Sequence, residues 1–283
     1  MNRSDKGYQL IDCERERKLE YFGDYLISRP CPTAIWKSIP DEKRTIDAEF
    51  HRKPSGNGDW KYHRSLPEQW VITYHNLKFQ IRLTGFGHTG LFPEQQTEWE
   101  WFERVIPGME KPASVLNLFA YTGGSSLACA QAGAKVTHLD AASGVVDWAR
   151  ENSRLNRMEN LPIRWIVDDV QRFVAKEIRR GNHYHGIILD PPSFGRGPKG
   201  EVWKLEEDLY PLLGEIKKIL NPEQAFIHLS CHTPGFTPII LTELLVTVFP
   251  EHASRIESGE MLIPYRKTHR YSAGSFTRLL YGV

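Results

Sequence analysis

The chain has 283 residues, 40% hydrophobic and 25% charged, with a formal net charge of +1. That is the composition of a globular protein of one large domain or two small ones, and it excludes a strongly basic nucleic-acid arm, so basic residues serving RNA would have to be clustered. No apolar run reaches the roughly 18 residues of a membrane span, the N-terminus is too polar for a signal peptide, and Cys13, Cys31, Cys129 and Cys231 form no CxxC pair; we therefore expect no membrane anchor, disulfide framework or metal site, and a reducing, cytoplasmic setting.

Residues 1–110 interleave Pro, Gly, Trp and charge in short runs and read as a small β-rich domain open to a substrate-binding role. Two strands are expected at 70–74 (WVITY) and 77–83 (LKFQIRL), joined by a polar turn at His75-Asn76. Residues 51–60 (HRKPSGNGDW) carry turn formers and read as a loop; the charged segment 8–21 is assigned nothing. A helix at 95–105 leads out through a linker at 107–112.

Over 111–283 the pattern alternates. Strands are expected at 115–119, 135–139, 163–167, 186–189 and 225–229, with helices at 125–132, 144–156, 170–180 and 205–220. Runs such as GIIL, apolar on consecutive residues, suit strands covered on both faces, so this half predicts a doubly wound, mostly parallel α/β sheet. The tail, 275–283, supplies a last strand, expected as an antiparallel edge.

The first strand-to-helix turn reads Phe119-Ala120-Tyr121-Thr122-Gly123-Gly124-Ser125-Ser126. Gly123 and Gly124 allow a tight bend and close approach of backbone to a ligand, and the free N–H groups of the following helix point across the turn. Asp140 closes the next strand, where a carboxylate can accept two hydrogen bonds from ribose hydroxyls. Asp168 and Asp169 follow the third strand, and either could reach an adenine amine. GxGxxG is missing, which favours a nucleoside cofactor without a pyrophosphate, S-adenosylmethionine, over a nicotinamide dinucleotide. A glycine pair alone would be only a tight turn; the acidic strand end at the right distance makes it a pocket.

Asp190-Pro191-Pro192-Ser193-Phe194 ends the fourth strand, at the carboxyl edge where open α/β sheets bind ligands. The prolines stiffen the loop and leave carbonyls without competing N–H groups. Asp190 can accept from a base amine, and Phe194 can stack on a base. Cys231 ends the fifth strand and is weighed as a nucleophile against a small buried core residue; Cys129, among alanines, reads as core. Basic and aromatic residues interleave at 52–64 and at 265–271, the second run holding Arg266, Lys267 and Arg270. Such patches suit single-stranded RNA, although either alone reads equally well as a solvated charged face.

LNLFAYTGG, LDAASGVVDWARENSRLN, DPPSFGRG and the upstream HTGLFPEQ resemble the bacterial ribosomal-RNA large-subunit methyltransferases, in both their cytosine-C5 and guanine-N2 branches. The resemblance runs from about residue 84 to the C-terminus. It implies a class I methyltransferase domain with a seven-stranded, mostly parallel sheet, S-adenosyl-L-methionine as cofactor and RNA as partner. It also implies that residues 119–124, Asp140, Ala141, Asp169 and Asp190 line the cofactor pocket, with HTGLFPEQ, ending on Gln95, folded over it. Leu229-Ser230-Cys231 is similar to the cytosine-C5 branch, whose nucleophilic cysteine follows that strand. Two departures stand out. The RNA-binding module of that branch is not recognisable in the first hundred residues, and the family's Asp-Gln-Arg reads Glu94-Gln95-Gln96. The expectation is therefore methyl transfer to a base in RNA, at cytosine C5 through a Cys231 adduct with Asp190 holding the base. Guanine N2 methylation without a covalent step is the alternative, and a non-catalytic S-adenosylmethionine-binding protein a third. Oligomeric state is not legible.

Overall fold

The computed structural model describes residues 7–37, 44–54 and 56–283. The chain divides into two compact units, one of residues 1–93 with 262–271, the other of residues 94–261 with 272–283. The division falls at residue 93 rather than 110, because the helix expected at 95–105 buries its aromatic face within the second unit.

The first unit is β-rich. Strands β1 (Tyr8–Glu14), β2 (Arg17–Phe22), β3 (Tyr25–Pro30), β4 (Ala48–Arg52) and β5 (Gly58–Tyr62) form one sheet in chain order. β6 (Gln69–Tyr74) and β7 (Leu77–Arg82) form a separate antiparallel hairpin. The charged run at 8–21 is thus two strands. Its alternation hides one buried carboxylate, Glu20, which receives two hydrogen bonds from Arg29 at 2.7 and 2.8 Å. The expected loop at 51–60 is instead an antiparallel strand pair in which Arg52 sits opposite Gly58; residue 55 of it lies outside the described residues.

The second unit is a seven-stranded sheet sandwiched by helices. Its strands are β8 (Ser114–Leu118), β9 (Lys135–Asp140), β10 (Ile163–Val167), β11 (Gly186–Leu189), β14 (Ala225–Cys231), β15 (Ile256–Tyr265) and β16 (His269–Tyr281), in the order β10-β9-β8-β11-β14-β16-β15. The first five are parallel, and β16 runs antiparallel to β14. The tail is therefore the antiparallel strand but not the edge, since β15 lies outside it. On one face lie α1 (Gln96–Val105), α2 (Gly124–Gln131) and α3 (Ser143–Leu155). Here Trp101 meets Phe226 edge-on at 5.4 Å. On the other face α4 (Val170–Arg180), α5 (Leu205–Lys217) and α6 (Pro238–Val248) bury Phe173, Leu209, Leu213, Leu241 and Leu245 against Ile187, Leu189, Ile227 and Leu229. A short hairpin, β12 (Phe194–Arg196) with β13 (Val202–Lys204), follows the Asp-Pro-Pro turn. The fold is α/β and doubly wound, as the strand pattern predicts.

Candidate active site

Five parallel strands put their carboxyl ends along one edge, and the acidic residues marked in the sequence fall on that edge. The turn after β8 is strained. Phe119 and Tyr121 have φ of 55° and 48°, and Gly123 has 91°. Left-handed backbone at two bulky residues is rare and costs about 1–3 kcal/mol each, so something must over-determine it. Part of the answer is Asp140. Its two oxygens accept the Tyr121 and Ala142 N–H groups, each at 3.0 Å, which ties the first turn to the end of β9. Burial pushes the Asp140 carboxyl above the usual carboxylate range, and these N–H groups pull the other way. Each oxygen keeps a further lone pair for a ligand.

The glycines divide their work. Gly123 is required by its left-handed φ. Gly124 is required by a neighbour, since a Cβ there would lie 2.5 Å from Cζ2 of Trp99. That Cβ side is filled by an indole that also donates to Ser125 Oγ at 3.2 Å. Gly124→Ala is expected to destabilise the protein by about 1–3 kcal/mol through overpacking. Chemical denaturation checks this, and an unchanged midpoint would mean that the indole yields freely.

The two acidic residues after β10 have different jobs. Asp168 is buried and occupied by Arg172, with Lys176 at 2.7 Å; burial works against its charge, but these cations hold it below the usual range. Asp169 caps α4, accepting the Arg172 N–H at 2.8 Å through one oxygen. Of the pair, only Asp169 keeps an oxygen outside such contacts, so Asp168 is not placed to serve a ligand.

Asp190 sits beyond β11, 23% exposed. Gln95 donates to Asp190 Oδ2 at 3.2 Å and to Ser230 Oγ at 3.0 Å. Gln95, expected over the cofactor, thus holds the Asp190 carboxylate. His232, which the sequence reading passed over, lies with Nε2 3.3 Å from Asp190 Oδ1. Burial disfavours the charged carboxyl, yet His232 keeps it below the usual range. Pro191 is buried, Pro192 to Phe194 are exposed, and the Phe194 ring has the Arg196 guanidinium 5.9 Å from its centre. The Pro192 carbonyl is not free, because it accepts from Trp203 Nε1 at 2.8 Å.

Cys231 does not join this group. Side chains alternate along a strand, so Ala225, Ile227, Leu229 and Cys231 enter the core cluster shared with α5 and α6, while His228, Ser230 and His232 take the Asp190 side. Cys231 is 1% exposed and burial pushes its thiol up. The polar residues at alternate positions in AFIHLSCH carried that signal. Cys129 is fully buried, as expected.

The basic clusters belong to the first unit and are largely ion-paired. Lys53 meets Asp59 at 2.6 Å, His63 meets Glu49 at 2.9 Å, and Arg266 meets Asp12 at 2.6 Å. Trp60 is tied through Nε1 to the Thr84 carbonyl at 2.8 Å, whereas Tyr62, Lys267 and Arg270 are exposed. Among the described residues no helix is long and apolar enough to cross a membrane, and no group of three or more His, Cys, Asp or Glu could hold a metal ion.

Comparison with known proteins agrees with this geometry. A crystal structure of an S-adenosylmethionine-dependent methyltransferase from Agrobacterium tumefaciens is 36% identical, with a TM-score of 0.89 over 98% of this chain and 91% of that one. A Streptococcus mutans structure, 16% identical, shares the fold with a TM-score of 0.76 over 98% of this chain and 76% of its own. A curated relative named ribosomal RNA large subunit methyltransferase K/L, from Shewanella sp., is 32% identical over 192 residues, 67% of this chain and 26% of the relative. Its Pseudoalteromonas atlantica namesake is 35% identical over 188 residues, 65% of this chain and 25% of the relative. The chain thus spans about a quarter of the length of these relatives. Residues 32–255 match the family model described as S-adenosylmethionine-dependent methyltransferase, and the chain belongs to that family, with S-adenosylmethionine as its cofactor.

Proposed function

We propose that this methyltransferase modifies a base in RNA, ribosomal RNA first among candidates, and that the acceptor is an exocyclic amine such as guanine N2. The observation that carries the choice of acceptor is the burial of Cys231: the thiol lies in the core, its pKa raised by burial and further by the nearby Asp190 charge, while that carboxylate is held by Gln95 at the sheet edge. Cytosine C5 becomes nucleophilic only after a thiolate has added to C6, and a buried thiol with a raised pKa is a poor source of one. The RNA reading is supported by the names of the relatives and by the exposed Phe194–Arg196 pair, which suits a stacked base. A ribosomal substrate would place the protein in the cytoplasm.

The residues present suit the cofactor. Asp140 offers acceptors for a ribose diol, Asp169 offers an oxygen for an adenine amine, and the left-handed backbone at Phe119 and Tyr121 bends the turn that Asp140 holds. Bound there, S-adenosylmethionine supplies an electrophilic methyl group. Asp190 accepts a hydrogen bond from the acceptor amine, and in this reading the Pro191 carbonyl orients it. With S-adenosylhomocysteine as the leaving group, methyl transfer would leave the amine cationic. Asp190 takes its proton and passes it to solvent.

Labelled cofactor incubated with total RNA tests both parts. Cys231→Ala is expected to keep turnover within a few-fold and to lose about 1 kcal/mol of stability, and digestion is expected to yield an N-methylated nucleoside. A covalent adduct on 5-fluorocytosine RNA that vanishes in Cys231→Ala would restore the C5 route. An absence of label in any RNA would end the RNA reading.

A further inference from the structure

The side chain that follows Cys231 is unused by the mechanism above. We propose that His232 is a positioning residue: as a fixed imidazolium it holds Asp190 ionised and aimed at the acceptor, so that the proton-accepting carboxylate works at neutral pH although it is largely enclosed. The inference rests on the Asp190 reading and adds what sets that residue's charge.

The geometry argues for the cation. Nδ1 lies 2.9 Å from the Ala273 carbonyl and 3.5 Å from Glu94 Oε1, while Nε2 lies 3.3 Å from Asp190 Oδ1. The Nε2–Oδ1 approach is an ion-pair contact rather than an aligned hydrogen bond, and beside a carboxylate and a carbonyl, which accept and do not donate, it is attractive only when both ring nitrogens carry hydrogen. A neutral ring would leave one of its nitrogens lone pair to lone pair with an acceptor. Three separate elements supply the partners: the end of β11, the segment before α1, and β16. Burial works against the charge, but Asp190 and Glu94 outweigh it and raise the His232 pKa to about 10.

The other charged groups nearby are accounted for. His228, on the same strand, is paired to Glu98 of α1 at 2.8 Å, and Glu98 also meets Arg278 of β16 at 3.4 Å. Cys231 packs into the core, where burial raises its thiol pKa, Thr233 hydrogen bonds pull it down, and the Asp190 and Glu206 charges both add to the rise. Gln95 and Ser230 complete the Asp190 surroundings as neutral groups. His232 is therefore the cation that directly touches Asp190 among these residues. The sign follows. Methyl transfer needs ionised Asp190, so the rate is lost as pH falls through the Asp190 pKa. Without His232 that pKa rises, and the loss begins at higher pH.

Two measurements test this. In the full chain, the ring resonances of His232, assigned by their loss in His232→Gln, are expected to remain those of an imidazolium at pH 8. Titration near 6.5 would overturn the proposal whether or not the RNA substrate is identified. In single-turnover methyl transfer, His232→Gln is expected to move the acidic limb upward by about one pH unit or more, a tenfold loss at the lower pH. Raising the pH should recover the rate, His232→Arg should keep the wild-type limb, and S-adenosylhomocysteine affinity should stay close to wild type. A His232→Gln profile that superimposes on wild type, or a loss equal at every pH, would overturn it. If His232→Gln does not fold, His232→Arg supplies the assignment and the wild-type resonances decide.

Discussion

Asp190→Asn is expected to cut the single-turnover rate of methyl transfer by about 10²–10⁴-fold, the usual contribution of a positioned proton acceptor. The substitution keeps the size of the side chain and leaves Gln95 Nε2 an oxygen to bond at the same place. What it removes is the charge. An amide accepts a hydrogen bond from the acceptor amine only weakly, and it cannot take the proton that the methylated nitrogen must lose. Turnover should therefore fall far more than S-adenosylhomocysteine affinity, and higher pH should not restore it, because no titratable group remains at that position. Calorimetry beside single-turnover kinetics separates the two quantities. Asp190→Asn with wild-type turnover would move the proton acceptor elsewhere along the edge.

Asp140→Ala is expected to weaken S-adenosylmethionine at least about tenfold, since hydrogen bonds to a charged group contribute about 1.5–3 kcal/mol each. The structure adds a second effect. Asp140 also receives the Tyr121 and Ala142 N–H groups, so its removal strips partners from two backbone donors and frees a strained turn to relax. The affinity loss should come with a lower unfolding midpoint, and added cofactor should widen the gap to wild type, because the weaker binder gains less stability at the same concentration. Asp168→Ala is the contrast. That carboxylate answers to Arg172 and Lys176, so stability should drop while affinity is spared. Unchanged cofactor affinity in Asp140→Ala would sink the assignment of the pocket to the ends of β8 and β9.

The parallel half of the sheet was legible because its strands are mostly apolar, whether buried throughout as in β11 or at the half-exposed edge as in β10. β10, β11 and α4 fall on the residues expected, 163–167, 186–189 and 170–180. The first unit was less legible because its strands are short and half exposed, so charged residues occupy the outward positions and mask the alternation. The acidic edge was readable as positions but not as roles. Nothing in the letters Asp-Asp at 168 and 169 says that one would be claimed by two cations of its own helix, although their spacing at i+4 and i+8 hints at it. The largest divergence turned on the parity of one strand. Alternation over 225–231 sends Cys231 to the core and its neighbour to the edge. The left-handed turn at Phe119 and Tyr121 had no signal, because neither residue type asks for that backbone.

The ten residues 262–271 belong to the first unit although residues 94–261 of the second unit separate them from the rest of it in sequence. They include Tyr271, which shares a hydrogen bond with Cys31. The ribosome emits a chain from its N-terminus, so the β-rich unit cannot finish folding when residue 93 emerges; it must wait for nearly the entire polypeptide. By then the strands from β8 to β14 have all been available to pair. The order of synthesis therefore runs opposite to the usual one, in which the N-terminal unit is complete first. A fragment ending at residue 93 would stop one segment short of its own unit, and expression of that fragment alone should give a species that is less protected from proteolysis than the same residues in the full chain.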